Sequence, residues 1–352
     1  QGADYAARGI AAFAMEFMPR ITRAQSMDVL SSQANLAGYK AVVDGASMFG
    51  QALPMMMTAA GTVPAAKIFI MGVGVAGLQA IATARRLGGI VSATDVRPAT
   101  KEQVQSLGAK FVAVEDDEFK QAQTAAGYAK PMSPEYQAKQ AELVANHIKT
   151  QDIVITTALI PGRPAPRLIT KAMVESMKPG AVIVDLAAER GGNCELTVPG
   201  QTVDVNGVTI AGPINLAGTV AVNASSLYAK NLLAFLEVLI DKKEKALKID
   251  WEDDIVKGTL VAKDGKIVQQ CAAGLVEVSK TETGLSFRLP HYAFEAAPDV
   301  DQLTAALGEG AIKGEPAIVN VGPRWVIAEL MSAETVAQLS PADRARIRNL
   351  EI

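Results

Sequence analysis

Three glycines in GVGVAGL, Gly72, Gly74 and Gly77, have the spacing G-x-G-x-x-G. They follow an apolar run, KIFIMG, and open a segment of helical periodicity, AGLQAIATARRLG. At such a strand-to-helix turn the first glycine permits the tight turn. The second lets the backbone approach a pyrophosphate at the helix N-terminus, and the third allows close helix–strand contact. Asp95 ends the next apolar run, about twenty residues beyond the last glycine, where a carboxylate accepts hydrogen bonds from an adenosine ribose diol. That carboxylate also repels a 2′-phosphate, which favours NAD over NADP. Arg97 pulls the other way, because a nearby arginine is what an NADP site uses. A chance glycine-rich turn is the competing reading, and the strand–turn–helix context weighs against it.

Residues 19–32, PRITRAQSMDVLSS, concentrate Arg20, Arg23, Gln25, Asp28, Ser31 and further hydroxyls ahead of that turn. Such a set can hold a flat ring in one orientation. It can equally cap the following helix through Ser26 or Asp28 and leave its arginines in solvent. TTALIPG, residues 156–162, follows an apolar strand, and a loop at the carboxyl end of a parallel strand lies where ligands bind; an ordinary strand-to-helix turn has the same composition. AAGYAKPM places Tyr128 in a polar loop. His147, on a predicted surface helix, and His291 sit in no motif and read as structural. The sequence carries no Ser/His/Asp set, metal-ligand spacing or paired carboxylates, so no metal site is expected. Direct hydride transfer between two nicotinamides is chemistry that needs no protein acid or base.

The elements that position these residues follow from periodicity. KIFIMG, GIVSATD, QDIVITTAL and GAVIVDLA are near-continuous apolar runs separated by helical segments. That pattern predicts an α/β fold with a Rossmann-type doubly wound parallel sheet, covered on both faces. IAAFAMEFM reads as a short buried strand, NLAGYKAVVDGASMFGQAL as a long helix, and MMMTAAGTVP as a connector whose methionines fill packing gaps. VDVNGVTIA reads as a hairpin turning at Asn206-Gly207, and SSLYAKNLLAFLEVLI as a helix with a serine cap. DKKEKALKIDWEDD reads as a charged linker or exposed edge. Beyond Gln269 the pattern is hairpin, helix, hairpin, a smaller α+β segment. Across 352 residues, 49% are hydrophobic and 20% charged, with a net charge of −3. This describes a soluble globular chain with no basic stripe for nucleic acid and no apolar run that spans a membrane. Asp4, Arg8 and Glu16 argue against a signal peptide. Cys194 and Cys271 form no CxxC pair, which fits a reducing compartment.

PRITRAQSMDVLSSQANLAGYKAV, PMMMTAAGTVP, GVGVAGLQAIATARRLG, TDVRPATKEQVQSLG, AGYAKPMS, TTALIPGRPAP and VDLAAERGGN together resemble the NAD(H)-binding component of proton-translocating nicotinamide nucleotide transhydrogenase, the alpha subunit's domain I, over about residues 5–268. Alanine dehydrogenases share the fold and diverge at RAQSMD. The resemblance implies an NAD(H) cofactor held by Gly72, Gly74, Val75, Gly77, Asp95, Val96 and Arg97, with Ala158 and Leu159 from the TTALIPG loop. Tyr128 would belong to a loop that folds over bound nucleotide. Arg20, Gln25, Asp28 and Ser31 would contact the nicotinamide carboxamide and ribose. The implied reaction is direct hydride transfer from NADH to NADP on a partner. The implied partners are an NADP(H)-binding component, a membrane component that moves protons, and a second copy of the chain, with the NG hairpin as an exchanged arm. The implied location is cytoplasmic, peripheral at the inner membrane. An NAD-binding module without turnover and an alanine dehydrogenase-like oxidoreductase are the alternatives.

The resemblance implies a first domain ahead of residue 1, of which residues 1–50 would be a remnant carrying the nicotinamide loop and long helix. Residues 51–225 would form the Rossmann domain and 226–269 the C-terminal helix and charged linker. Residues 270–352, with QCAAGLVEVSKTETGLSFRLP and IVNVGPRWVIAEL, resemble a slice of the phenazine-biosynthesis isomerase-like family, of epimerase fold. The portions that carry that family's active site are absent, so no isomerase activity is expected. The join is expected near Val268.

Overall fold

A computed structural model describes residues 2–120, 122, 132–160, 164–271, 274–281, 284–288, 293–295, 312, 317–320 and 324–327. The chain forms two compact units, Ser26–Glu237 and Gln1–Gln25 with Val238–Ile352. Tyr128, His291 and the helix expected at DVDQLTAALG lie outside the described residues.

The unit Ser26–Glu237 is built on helix α1 (Val29–Met48), hairpin β1 (Met56–Thr58) and β2 (Gly61–Val63), then β3 (Lys67–Met71), α2 (Val75–Arg86), β4 (Ile90–Thr94), β5 (Lys110–Phe111), α3 (Pro134–Ile148), β6 (Ile153–Thr156), β7 (Val182–Asp185), β8 (Thr202–Val205) and β9 (Val208–Ala211). Helix α4 (Ala221–Leu239) closes it. Seven strands form one sheet in the order β5-β4-β3-β6-β7-β9-β8. Every neighbouring pair is parallel except β9 with β8. This is the expected Rossmann-type sheet.

The apolar runs form central strands because both sheet faces are covered. Ile68, Ile70, Ile153 and Ile155 point to one side, into a core with Val42 of α1 and Ile81 of α2. Phe69, Met71 and Val154 point to the other, against Val144 and Ile148 of α3. Alternation of side chains along a strand sends neighbours to opposite faces. Helix α1 lies flat on the first face because small residues line it. A Cβ added at Gly38 would stand 2.1 Å from the Ala76 carbonyl oxygen of α2, and one at Gly45 would stand 3.2 Å from Ile153 Cγ2.

Four expectations change. MMMTAAGTVP is a free-standing hairpin, and Met57 is 78% exposed, so its methionines do not fill a core in this unit. Asn206 and Gly207 do make the turn, with φ of 53° and 81°. Yet β9 pairs with β7 in the main sheet, so this hairpin is the sheet's edge rather than a projecting arm. Helix α4 begins at Ala221, which puts Ser225 and Ser226 inside it rather than at a cap. IAAFAMEFM contributes only a half-buried strand, Ala12–Phe13, and then a 3-10 turn, Met15–Phe17.

In the other unit, Ala12–Phe13 starts an antiparallel sheet continued by Leu260–Lys263, Lys266–Cys271, Gly274–Thr281 and Gly284–Arg288. Asp264 and Gly265 turn it with φ of 50° and 77°. The ring of Phe13 stacks on Trp251 at 6.3 Å, and Lys263 Nζ lies 4.0 Å from the centre of the Trp251 ring. The expected join near Val268 falls inside the strand Lys266–Cys271, where Val268 pairs with Glu277. Hydrogen bonding therefore runs through that position without a break. Ala293–Glu295, Ala317–Asn320 and Arg324–Ile327 form a three-stranded antiparallel sheet.

His147 is structural, but half-buried rather than on the surface. Its Nε2 lies 2.8 Å from Ser92 Oγ, and its ring meets Phe69 edge-on at 4.7 Å. Burial, and then Lys110 and Lys67, hold its pKa below the usual histidine value. The unfolded chain therefore takes up this proton more readily than the folded one. The stability that neutral His147 contributes is complete above about pH 6.5 and is lost as pH falls through the lower folded value. Urea unfolding at a series of pH values checks this. The wild-type midpoint should fall more steeply below about pH 6.5 than that of His147→Gln; parallel curves would contradict it.

Candidate functional site

The switch point of the sheet lies between β3 and β6, where the strand order reverses, and ligands bind at the carboxyl ends of strands there. Gly72 leaves β3 with φ of 102°. A Cβ on it would stand 2.7 Å from Thr157 Oγ1, and one on Gly77 would stand 1.9 Å from the Gly72 carbonyl oxygen. These two glycines are required by packing. Gly74 is different: a Cβ there would meet nothing within 4 Å. Gly74 is also the N-cap of α2, with no side chain to cap it. The first-turn N–H groups of a helix have no intrahelical acceptors and lie at its positive end. The arrangement leaves bare backbone donors facing open space, which fits an anionic group such as a pyrophosphate.

Asp95 sits one strand over, after β4, and faces the same turn. Its Oδ2 accepts from the Val73 N–H at 2.8 Å and its Oδ1 from the Arg97 N–H at 2.9 Å. The Arg97 guanidinium donates to both oxygens, from Nε at 2.9 Å and Nη2 at 3.0 Å, and Nη2 also reaches the Val73 carbonyl at 3.1 Å. The hydrogen bond to Asp95 raises the Arg97 pKa against the opposing effect of burial. Asp95 and Arg97, read from sequence as competing signals for NAD and NADP, are one ion pair. Val75 and Val96 are exposed beside them.

The loop after β6 is held from below by two buried polar residues that sequence reasoning missed. Thr157 Oγ1 donates to the Gly72 carbonyl at 2.9 Å, joining the loops after β6 and β3 across the switch point. Asn193, fully buried, accepts from the Ala158 N–H at 3.0 Å and donates to the carbonyls of Ala158 and Pro166 at 2.9 and 2.8 Å. Asp185, also fully buried, accepts from Thr156 Oγ1, the N–H groups of Ala187 and Cys194, and Thr197 Oγ1. A Cβ on Gly192 would stand 2.8 Å from Asp185 Oδ2. The available signal was a polar residue ending each apolar run, Thr156 in IVIT and Asp185 in VIVD. Leu159 and Ile160 stay exposed.

The residues of the stretch 19–32 divide among several tasks. Asp28 is the N-cap of α1, its Oδ1 accepting from the Ser31 N–H at 2.9 Å. Asn231 of α4 donates to the Ser26 carbonyl at 2.7 Å and accepts from Ser32 Oγ at 2.7 Å. Arg23 forms a two-pronged ion pair with Asp253, at 2.6 and 2.8 Å. That bond raises the Arg23 pKa and lowers that of Asp253. Arg20 and Gln25 are exposed. The structure thus gathers Gly72, Gly74, Gly77, Asp95, Arg97 and Ala158 into one crevice, with Asp28 and Ser31 in the same unit. Arg20 and Gln25 belong to the other unit.

Removing the Asn193 side chain leaves three part-buried backbone groups, the N–H and carbonyl of Ala158 and the carbonyl of Pro166, without this partner. Each unsatisfied buried group costs roughly 1–3 kcal/mol. Asn193→Ala should therefore lower unfolding free energy by about 1–3 kcal/mol in a urea titration. A loss below about 1 kcal/mol would show that the loop holds itself without this clamp.

The sequence profile described as "Alanine dehydrogenase/PNT, C-terminal domain" matches residues 41–270. The chain is 61% identical over 267 residues to the first polypeptide of NAD(P) transhydrogenase subunit alpha from Rhodospirillum rubrum, a span of 76% of this chain and 70% of that protein. It is 52% identical over 263 residues to the like-named protein from Rickettsia prowazekii, covering 75% of this chain and 67% of that one. The solved transhydrogenase from Sinorhizobium meliloti is 62% identical and superposes with a TM-score of 0.68, over 76% of this chain and 71% of that one. A glycine-turn crevice at a Rossmann switch point and these likenesses agree: the chain belongs to the alanine dehydrogenase/PNT family, on the branch of the NAD(P) transhydrogenase alpha subunits.

Proposed function

We propose that this chain binds NAD(H) across the switch-point crevice and presents its nicotinamide for direct hydride transfer to NADP on a partner component of a proton-translocating transhydrogenase. The observation that carries this reading is the uncapped N-terminus of α2, open above Gly74 and one strand away from the Asp95 carboxylate. In this reading Gly72, Gly74, Val75 and Gly77 hold the pyrophosphate. Asp95 and Val96 hold the adenosine, with Arg97 beside them, and Ala158 and Leu159 line the crevice beyond it. Arg20, Gln25, Asp28 and Ser31 fix the nicotinamide end, and Tyr128 belongs to a segment that covers the nucleotide. Asp28 uses Oδ1 as a helix cap, so Oδ2 is the atom it offers a ligand. The bound cofactor supplies the hydride chemistry; the chain's own groups bind it, orient the ring and exclude water.

The remaining assembly follows the same reading. The partners are an NADP(H)-binding component and a membrane component, which place the chain on the cytoplasmic side of the inner membrane. No helix among the described residues is long and apolar enough to cross a membrane. A second copy docks on hairpin β1–β2, whose Met55, Met56 and Met57 are exposed. Sedimentation of wild type against Met57→Lys reports this: the variant should shift toward monomer, and an unchanged dimer would move the interface elsewhere.

Gln25→Ala tests the nicotinamide end. Stopped-flow transfer to an NADP analogue on the added partner component should slow by about tenfold or more, because a ring held loosely loses its productive geometry. Binding of ADP-ribose, which lacks the ring, should stay at the wild-type level. If ADP-ribose binding fell as far as the transfer rate, Gln25 would not act at the nicotinamide.

A further inference from the structure

We infer that the Arg97 guanidinium is an internal counter-ligand of Asp95 which an incoming dinucleotide must displace, and that this exchange sets how strongly the chain prefers NADH over NADPH. The inference rests on the reading above, in which the adenosine ribose binds at Asp95.

A carboxylate offers about four lone-pair positions. At Asp95 all of them are taken: Oδ1 by the Arg97 N–H and Nε, and Oδ2 by the Val73 N–H and Arg97 Nη2. Two of these donors are backbone groups, which stay in place whatever side chain stands at position 97. The other two are the prongs of one guanidinium. A ribose diol brings two hydroxyl donors, and the positions it needs are those the fork occupies. The Asp95 side chain is only 7% exposed and that of Arg97 33%, so the fork covers the carboxylate. Its Nη2 is also tied to the Val73 carbonyl in the glycine turn. Ribose binding therefore exchanges the two prongs of an ion pair for hydrogen bonds from two neutral hydroxyl donors to the same carboxylate, and this weakens NADH binding.

The displaced guanidinium has a second consequence. Arginine forks match phosphate oxygens as well as they match carboxylates. Freed from Asp95, Arg97 stands beside the ribose as a cation that a 2′-phosphate can engage. The side chain thus works against NADH and for NADPH, while the carboxylate it covers works the other way. Cofactor preference in this chain is the difference between the two, and each can be removed separately.

Fluorescence titration of the full chain with NADH and with NADPH tests the exchange on Arg97→Met, Arg97→Lys and Asp95→Asn. Arg97→Met keeps a long stem and both backbone donors to Asp95. It should bind NADH about threefold to tenfold more tightly than wild type and NADPH more weakly. Arg97→Lys loses the fork and keeps the charge, so it should gain NADH affinity by about twofold or more and retain NADPH binding. Asp95→Asn should weaken NADH. If Arg97→Met melts as wild type does and binds NADH no more tightly, the exchange is overturned. If Arg97→Met is unstable, Arg97→Lys decides by the same criterion. If Asp95→Asn binds NADH as well as wild type, the ribose is not at Asp95, and it is the site reading that fails, taking the exchange with it.

Discussion

The first turn of α2 sits so close to the end of β3 that a side-chain carbon at residue 77 would lie 1.9 Å from the Gly72 carbonyl oxygen. Most of the crevice depends on this approach. It brings the N-terminal donors of α2 level with the carboxyl ends of the strands, and it places the Gly72 carbonyl where Thr157 can donate to it from the neighbouring loop. It also aims Val73 N–H at Asp95. Helix α1 repeats the device at Gly38, where the Ala76 carbonyl leaves no room for a Cβ. Close backbone contact thus lets the two helices share one sheet face, with side chains such as Val42 and Ile81 filling the core beneath them. The turn between β3 and α2 is held from several sides, by Thr157, Asp95 and Arg97.

The polar residues around the crevice fall into two groups by exposure. Asp185 and Asn193 are sealed off from water, and each finds several neutral partners. A buried carboxylate with four donors is tolerable because its lone pairs are filled. Together they hold the loop after β6 from beneath. Asp95 and Arg97 sit at the boundary with solvent, where an ion pair can be opened by a competing ligand. In the proposed function, the contacts below stay fixed while the ion pair above exchanges with the cofactor.

The hydrogen-bonding capacity of residues 19–32 is divided between architecture and what remains free. Arg23 is committed to Asp253, Asp28 to the start of α1, and the Ser26 carbonyl and Ser32 hydroxyl to Asn231. Arg20 and Gln25 remain exposed. Capping and ligand binding, which the residue types alone left as alternatives, need not compete, because the cap uses only some positions of the stretch.

What the sequence by itself determined here is local. Continuous apolar runs specified the parallel strands, and the glycine spacing specified the turn before α2. Asn206-Gly207 specified a hairpin of the correct turn type, because each depends on the conformational preferences of a few adjacent residues. The tertiary structure alone decided where those pieces went and which polar groups met. Position 207 codes a turn, but whether its strands project or close a sheet depends on the exposed edge of β7. MMMTAAGTVP has a composition that suits a core, yet its two strands pair only with each other and Met55, Met56 and Met57 stay exposed. Asp95 and Arg97 look like rival specificity signals in sequence, and only folded geometry shows them bonded to each other. Asn193 and Ala158 lie 35 residues apart, and no local propensity links them. Pairings of this kind arise from which buried donor lies opposite which acceptor once the sheet has formed, and that is a property of the whole fold.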